Sequence, residues 1–304
     1  EVVRKHGVTA IHAHEFAMNV RGAMVGVLKG IPVAATVHSK GYFGDKWVRR
    51  QAYRFASRCA RIVAVTEDVR QHLISKGGLK SDRLSMIPNG IDAERFQFNE
   101  EKRREFREKF GVRKDQLLLG TVGSYYQVKG HYFLIEAMKR LVAANKSLKL
   151  VMAGQGPLAE QLHRQAVESG LDKYVQITGY VNDIPGFLSA LDIFVMPSLS
   201  EGMPLSLLEA AANGRCVVAT SVGGIPDIIV NQENGILVPP GNVDALTEAL
   251  LRLFDPALRF SLAAKAAASV KKNWSFQRTV DRYLELLQPD SSSVRLDLQG
   301  EAVS

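Results

Sequence analysis

Short hydrophobic segments alternate with helix-length amphipathic segments along almost the whole chain. In the first part, four segments are predicted to be strands, at residues 9–12, 33–37, 61–65 and 84–87. The second part has six more, at residues 117–122, 148–153, 175–178, 193–196, 216–220 and 235–238. Apolar strands separated by helices are typical of right-handed βαβ units. The alternation therefore predicts an α/β fold with mostly parallel sheets.

A Pro-Asn-Gly cluster at residues 88–90 separates the two series of strands. This combination is a turn signal, so we place a domain boundary there and an amino-terminal domain at residues 1–91. The chain begins at Glu1 and enters a strand pattern almost at once, and we therefore expect this domain to be incomplete. Residues 289–304 are polar and lack periodicity, and we expect them to be a disordered tail.

Composition indicates a soluble protein of about two domains, since the 304 residues are 46% hydrophobic and 23% charged. No apolar run approaches the roughly 20 residues that span a bilayer, and the amino terminus lacks a signal segment. We therefore expect a cytoplasmic protein. Cys59 and Cys216 lie within hydrophobic runs and lack metal-ligand spacing, which predicts two buried thiols.

The formal net charge of +8 favours anionic partners, but charge does not choose among nucleotide sugars, acidic glycans, lipid headgroups and nucleic acid. Four arginines fall at helical spacing: Arg50, Arg54, Arg58 and Arg61. They fit a solvated helix face better than a contact with an anionic membrane surface. The mixed-charge segment 102–109 predicts an exposed helix without a function. No nucleic-acid reading motif accompanies the basic residues, so we expect no nucleic-acid partner.

Two carboxylates, Glu201 and Glu209, bracket an apolar segment between a predicted buried strand and a predicted helix. Proline is favoured in the first turn of a helix, so Pro204 predicts that the helix begins there. The free N–H groups of a first turn attract phosphate, and Glu209 would lie about 7 Å further along the axis. Carboxylates accept hydrogen bonds from sugar hydroxyls. The spacing fits either a nucleotide sugar, with Glu201 at the sugar and Glu209 at the ribose, or two solvated glutamates.

Glycines recur where the predicted strands of the second series end. They are Gly123, Gly154, Gly156, Gly179, Gly223 and Gly224. Open α/β sheets bind ligands outside the carboxyl ends of their strands, where glycine lets the backbone approach a phosphate. Together the glycines predict a nucleotide crevice, although each one alone also fits a tight turn.

Eight strings of residues, in order along the chain, resemble those of the retaining glycosyltransferases of family 4, which have the GT-B fold. The resemblance covers the chain up to the polar tail. The strings are V-A-A-T-V-H ending at His38, I-P-N-G-I-D ending at Asp92, V-G-S-Y-Y-Q-V-K-G ending at Gly130, M-A-G-Q-G-P ending at Pro157, T-G-Y-V ending at Val181, P-S-L-S-E-G-M-P-L-S-L-L-E ending at Glu209, V-V-A-T-S-V-G-G-I-P-D ending at Asp227, and N-G-I-L-V-P-P ending at Pro240.

This resemblance implies two Rossmann-like domains that face each other across a cleft. The carboxyl-terminal domain, residues 92–274, would hold a nucleoside diphosphate sugar, and a helix at 275–288 would return to the first domain. The implied activity is metal-independent, anomer-retaining transfer to a glycan or lipid-linked hydroxyl, in cell-surface polysaccharide or glycolipid synthesis. No cofactor is implied, and the sequence has no Asp-x-Asp motif or His/Cys cluster for a metal. Peripheral contact with the inner face of the membrane is compatible with these acceptors.

By resemblance, three residues are catalytic. Lys129 would neutralise the diphosphate leaving group, Glu201 would contact the sugar hydroxyls, and His38 would contact the sugar and its phosphate. The substrate-binding residues implied in the same way are Ser124, Gly154, Gly156, Gly179, Val181, Gly202, Met203, Pro204, Leu205 and Glu209. His12 and His14 precede His38 by one strand, and they fit either the site or the sheet.

The chain departs from the family pattern at Ser124, where an arginine is usual. The family's site has two side-chain cations for the diphosphate, and this chain therefore lacks one of them. Its loss is expected to weaken the interaction with the donor about ten- to a hundredfold. The glycine-rich loop of the family's first domain is also absent from this sequence. A noncatalytic, nucleotide-sugar-binding partner of an active transferase is the alternative that these departures leave open. A sugar-nucleotide epimerase fits the eight strings poorly.

Overall fold

The computed structural model describes residues 2–40 and 47–288, and the predicted tail at 289–304 lies outside the described residues. The chain divides into two compact units. One contains the described residues up to Asn89 and from Gln277 onward, and the other runs from Gly90 to Phe276. Each unit is built on a parallel sheet, so the predicted α/β fold is confirmed.

The first unit has a four-stranded sheet in the order β1-β2-β3-β4. The strands are β1 (Ile11–His14), β2 (Val33–Val37), β3 (Arg61–Ala64) and β4 (Leu84–Met86). The helices up to β4 are α1 (Val2–Lys5), α2 (Phe16–Lys29), α3 (Trp47–Cys59) and α4 (Glu67–Ser75). All five residues of β2 are buried, as expected for a strand covered by helices on both faces of a parallel sheet.

Two predictions for the first unit were wrong in detail. Strand β1 runs to His14 instead of ending at His12, because it pairs with β2 from Ile11 opposite Val33 to His14 opposite Thr36. Backbone pairing, rather than apolar character, determines where this strand ends. Helix α3 ends before Arg61, which opens β3, so Arg61 does not share the helix face of the other three arginines.

The second unit has a six-stranded sheet in the order β10-β9-β8-β5-β6-β7. Its strands are β5 (Leu117–Val122), β6 (Leu148–Ala153), β7 (Val175–Gly179), β8 (Ile193–Met196), β9 (Cys216–Thr220) and β10 (Ile236–Val238). Its helices are α5 (Glu100–Lys109), α6 (His131–Ala144), α7 (Ala159–Glu168), α8 (Ile184–Ala190), α9 (Leu205–Ala212), α10 (Ile225–Ile228), α11 (Val243–Arg252) and α12 (Pro256–Asn273).

Helix starts in both units follow the capping chemistry of the sequence. Among the α-helices of the described residues, five are preceded by a side chain that accepts a hydrogen bond from a backbone N–H of the first turn. These side chains are Thr66, Asn99, Asp183, Asn242 and Asp255. The final helix, α13 (Phe276–Leu287), is held in the first unit. Tyr283 and Thr36 share a hydrogen bond of 2.8 Å between their hydroxyls, and the Thr279 hydroxyl donates to the carbonyl of Pro88 at 3.0 Å.

In the second unit, β5 and β8 are neighbours at the point where the direction of strand addition reverses. From β5 the sheet continues through β6 to β7 on one side, and from β8 it continues through β9 to β10 on the other. Ligands of open α/β sheets bind outside the carboxyl ends of the strands at such a switch point. The loops that follow β5 and β8 therefore carry the residues of greatest interest.

Cys216 opens the neighbouring strand β9. Like Cys59, it is a buried free thiol, which confirms the prediction of two buried thiols.

Basic residues of α5 have a structural role that the sequence did not reveal. Arg103 and Arg107 both donate to the carboxylate of Asp192, at 2.6 Å and 3.1 Å. The backbone N–H of Leu118 donates to the same carboxylate at 2.7 Å. Asp192 therefore ties α5 to the starts of β5 and β8. The predicted helix is present, but it is an anchored helix and not merely a solvated one.

Candidate functional site

An ion pair joins the loops that follow β5 and β8. The Lys129 ammonium lies 2.8 Å from Oε1 and 2.9 Å from Oε2 of Glu201. The Glu201 side chain is only 7% exposed, and that of Lys129 is 28% exposed. The two residues come from strands that neighbour each other at the switch point, although 72 positions separate them in sequence. The structure thus brings together these two residues predicted to be catalytic.

A hydroxyl group also holds the Glu201 carboxylate. The Ser198 hydroxyl donates to Oε1 of Glu201 at 2.7 Å, and the Thr220 hydroxyl donates to the Ser198 carbonyl at 2.5 Å. Neither hydroxyl residue was among the predicted site residues. Ser198 could have been predicted, since it precedes Glu201 by three positions in the same loop. No sequence pattern connects Thr220 with Glu201, because Thr220 ends a different strand.

Close packing of backbone keeps the Lys129 and Glu201 loops together. Gly130 has a φ of +66°, and a Cβ there would lie 2.0 Å from the carbonyl oxygen of Pro197. Only glycine fits such a position without displacing the neighbouring loop. The N–H of Leu199 also donates to the carbonyl of Val128 at 2.7 Å.

The loop after β9 supports Glu201 as well. Gly223 has a φ of +56°, and a Cβ there would lie 2.1 Å from the carbonyl oxygen of Glu201. The N–H of Gly224 donates to the carbonyl of Gly202 at 2.7 Å. The position of Glu201 is therefore set by contacts with three loops, those after β5, β8 and β9.

Helix α9 begins where the sequence predicted, with Pro204 as its N-cap residue. Gly202, Met203 and Pro204 are buried, whereas Leu205 is exposed. Glu209 lies further along this helix, and burial raises the pKa of its carboxyl group above the usual range, while the positive charge of Arg95 opposes the rise. Sequence reasoning missed Arg95, since it lies on a short 3₁₀ helix more than a hundred positions earlier.

The predicted glycines of the other loops lie around a cavity of about 610 Å³ at the β6 and β7 side of the sheet. Gly154, Gly156 and Gly179 line it, and the N–H of Gly154 donates to the carbonyl of Gly179 at 2.8 Å. Val181 follows this edge and is half-buried. Ser124 is half-buried too, and its carbonyl accepts a hydrogen bond from the N–H of Tyr126 at 2.9 Å.

His38 lies in the first unit, at the end of β2, and contacts a second histidine. Its Nε2 is 2.8 Å from Nδ1 of His14, and the two rings are stacked with centroids 5.1 Å apart. His12 Nε2 bonds to the Thr36 hydroxyl at 2.9 Å, and its ring lies 4.1 Å from that of Tyr283. The histidines that the sequence left open therefore form one cluster with His38.

The imidazoles of His12 and His38 are neutral near pH 7. Burial lowers the pKa of His38 below its ordinary value, and the neighbouring His14 lowers it further. Burial also lowers the pKa of His12 to about 4, with contributions from the other two histidines. A neutral imidazole both donates and accepts hydrogen bonds, which suits contact with hydroxyl groups.

In residues 2–40 and 47–288, no group of three or more His, Cys, Asp and Glu side chains is placed to hold a metal ion. Over the same residues, no helix combines the length and apolar character required to cross a membrane.

Two family models match the chain. Residues 116–255 match the model described as "Glycosyl transferases group 1", and residues 1–95 match the model described as "Glycosyltransferase Family 4". The two matches fall almost entirely within the second and first units respectively.

Curated relatives cover most of the chain. The UDP-Gal:alpha-D-GlcNAc-diphosphoundecaprenol alpha-1,3-galactosyltransferase of Escherichia coli is 26% identical over 297 residues, which is 94% of this chain and 76% of that protein. The putative teichuronic acid biosynthesis glycosyltransferase TuaC of Bacillus subtilis is 34% identical over 257 residues, or 80% of this chain and 60% of that protein. Among solved structures, Alr3699/HepE of Anabaena in complex with UDP has a TM-score of 0.85 at 22% identity, covering 94% of this chain and 80% of that chain.

Proposed function

Because the chain belongs to glycosyltransferase family 4, the glycosyl transferases group 1 of GT-B fold, we propose that it transfers a sugar from a nucleoside diphosphate sugar to a hydroxyl of a glycan or lipid-linked acceptor. The observation that best supports this proposal is the buried Glu201 carboxylate paired with Lys129 at the switch point. Anomeric retention and metal independence are part of the proposal, on the resemblance of the motifs.

The charges that develop during the reaction suit these groups. As the bond between the sugar and the diphosphate breaks, negative charge grows on the departing phosphate and positive character grows on the anomeric carbon. Lys129 and the free N–H groups at the start of α9 stabilise the negative charge, and they are in position before the reaction begins. Preplaced charges of this kind cost no reorganisation at the moment of bond breaking.

Glu201 and Glu209 have separate roles in this proposal. The carboxylate of Glu201, held by Ser198, accepts hydrogen bonds from hydroxyls of the transferred sugar. Glu209 accepts hydrogen bonds from the ribose hydroxyls, which favour the ionised form of a carboxyl whose pKa burial has raised. The base lies against the main chain of residues 179–181, beside the cavity lined by Gly154 and Gly156.

His38 is the third catalytic residue of the proposal, on the resemblance of the motifs. The relatives named above support the acceptor class, since the E. coli enzyme's name includes a diphosphoundecaprenol and TuaC is named for teichuronic acid biosynthesis. We place the reaction in the cytoplasm at the inner face of the membrane. The arginines of α3 would then contact anionic headgroups, although Arg54 also donates to the carbonyl of Gly77 at 3.3 Å.

A thermal-shift screen of uridine, guanosine and adenosine diphosphate sugars tests the proposal first. A ligand that binds the folded protein at a hundredfold excess over its Kd stabilises it by about 2.7 kcal/mol, and the proposal predicts such a rise for one base series. The selected donor is then incubated with lipid-linked and glycan acceptors, with and without EDTA. Product formed with retained anomeric configuration and at an unchanged rate in EDTA is the expected result.

Two variants with matched controls identify the site. Lys129→Ala is expected to lower turnover about 10²- to 10³-fold, as loss of a preplaced transition-state contact does. Glu209→Ala is expected to weaken donor binding about ten- to a hundredfold. Lys139→Ala and Glu248→Ala, at exposed positions of the same unit, leave both unchanged. Wild-type behaviour of the two site variants refutes the proposal, whereas donor binding without turnover on any acceptor favours the noncatalytic partner.

A further inference from the structure

Three histidines lie at the carboxyl ends of β1 and β2 in the first unit. His12 and His14 alternate along β1 and therefore point to the same face of the sheet, and His38 follows the last residue of β2. The strand register places His14 opposite Thr36, two residues before His38. Among the described residues, His14 is the only one that forms a hydrogen bond with the His38 ring. The orientation of the His38 ring therefore depends on His14.

The His14 ring is held in turn by its neighbours. Its centroid lies 4.1 Å from that of His12, and the His12 ring lies 4.1 Å from that of Tyr283 on α13. The Thr36 hydroxyl bonds to His12 Nε2 at 2.9 Å and to the Tyr283 hydroxyl at 2.8 Å. The rings thus form a column that runs from Tyr283 through His12 and His14 to His38. A side chain packed in this way loses less rotamer freedom when it forms a hydrogen bond.

Helix α13 fixes the base of this column by apolar packing. Tyr283, Leu286 and Leu287 pack against a small buried cluster on the same sheet, which includes Ala34 of β2 and Val63 of β3. The tyrosine that supports His12 is therefore anchored by contacts that do not involve the histidines.

The backbone next to His14 is also constrained. Glu15 has a φ of +68°, in the left-handed region that favours glycine. Non-glycine residues in sparsely populated conformations cluster at functional sites, where the surrounding structure holds them. Burial and the neighbouring His14 lower the pKa of His38, and the charge of Glu15 opposes them. Glu15 thus lies close enough to His38 for their charges to interact.

We propose that His14 is a positioning residue for the transfer reaction, because its hydrogen bond fixes the orientation of the His38 ring for the catalytic role proposed above. This inference rests on the proposed function and adds to it, since the resemblance gave His38 a role and left His14 open. A positioning role requires a polar atom where Nδ1 of His14 lies. A packing role requires only the ring.

Two substitutions at His14 separate these requirements. His14→Asn keeps a hydrogen-bonding group at the place of Nδ1, because its amide is bonded to the same carbon, and that amide can donate or accept. His14→Phe keeps a ring without a polar atom. Both changes fall on an exposed side chain, so neither is expected to unfold the first unit. His6→Phe, at another exposed histidine of this unit, is the control.

Turnover is measured with the donor selected by thermal shift, and the donor Kd by calorimetry. We expect His14→Phe to lower kcat about ten- to a hundredfold, as a misplacement of about 1 Å in a catalytic site does. His14→Asn is expected to stay within about threefold of the wild-type kcat, since its amide retains the hydrogen bond. The donor Kd should stay within about threefold in every variant, because the proposed nucleotide contacts lie in the second unit.

Nitrogen-15 NMR of the histidine side chains tests the bond without any substrate. His14→Phe removes the partner of His38 and is expected to move the Nε2 signal of that ring, whereas His6→Phe leaves the signal in place. An unmoved signal in His14→Phe would mean that the bond does not hold His38 in solution, and it overturns the proposal whatever the activity.

Two kinetic outcomes also overturn the proposal. One is a kcat of His14→Phe equal to that of the wild type. The other is an equal loss of kcat in His14→Phe and His14→Asn, which would mean that the hydrogen bond is not what matters. If the wild-type protein reacts with no donor, the proposed function fails and the role of His14 in it fails too, while a moved Nε2 signal still shows the bond to His38.

Discussion

Replacing Gly223 by alanine tests whether the exact placement of the Glu201 backbone controls activity. A Cβ at Gly223 would lie 2.1 Å from the carbonyl oxygen of Glu201, whereas real Cβ contacts essentially never fall below 3.0 Å. The two loops must therefore separate by about 0.9 Å. The substitution thus acts on Glu201 without altering its side chain.

Gly214 provides the matched control. Its φ is +73°, close to that of Gly223, but a Cβ there would meet no atom within 4 Å. A left-handed backbone costs an alanine roughly 1–2 kcal/mol, so Gly214→Ala is expected to lose about that much free energy of unfolding, and Gly223→Ala is expected to lose more because its Cβ also displaces a loop. Only Gly223→Ala displaces Glu201. A misplacement of about 1 Å in a catalytic site costs on the order of a hundredfold in rate.

Urea unfolding measures the stability of both variants, and release of nucleoside diphosphate from the donor found by thermal shift measures turnover. We expect Gly223→Ala to be slower than Gly214→Ala by about a hundredfold under conditions in which the urea titrations show both variants to be folded. The reasoning is refuted if the two variants release product at rates within about threefold of each other. It is also refuted if Gly214→Ala alone is inactive.

Three further outcomes follow from the structure. Asp192→Asn should lower the free energy of unfolding, measured in urea titrations, by about 3 kcal/mol, because the Asp192 side chain is only 14% exposed and binds two arginines. The control Asp244→Asn, at a side chain that is 81% exposed, should change that free energy by less than about 1 kcal/mol. Equal effects would contradict this. Ser124→Arg should tighten nucleoside diphosphate binding about ten- to a hundredfold in calorimetry, and an unchanged Kd would show that another cation already acts there. The pKa of folded His131 is about 4, below its ordinary 6.5, so the unfolded chain takes up the proton first and stability is lost as the pH falls from 6.5 towards 4. His131→Phe should remove a slope of up to about 1.4 kcal/mol per pH unit, and parallel stability profiles would contradict that.

Most of the central strands were predicted to the residue, although β3 ends at Ala64, one residue before its predicted end. Five of them, β2, β5, β6, β8 and β9, have the bounds expected from the sequence. Their apolar runs coincide with the paired backbone, because a central parallel strand has no solvent-facing side. Strand β1 lies at a sheet edge and carries two histidines, so its apolar run and its paired residues do not coincide.

The site was predictable only where a motif spans it. The resemblance pointed to Lys129 and Glu201, which the structure joins in one ion pair. Thr220 and Arg95 reach the site from other strands and loops, and no local pattern connects them to it. Contacts of this kind arise from strand order, which a pattern of apolar residues does not specify.

The bond between His14 and His38 has a consequence for how protons are arranged in the first unit. When neither ring carries a second proton, a bond that joins imidazole nitrogen to imidazole nitrogen contains one hydrogen, so one ring donates and the other accepts. If His14 gives the shared hydrogen, the free Nδ1 of His38 bears its own; if His38 gives it, that nitrogen becomes a lone pair. Exchange between the two tautomers thus converts the outer face of His38 from donor to acceptor with no change in net charge.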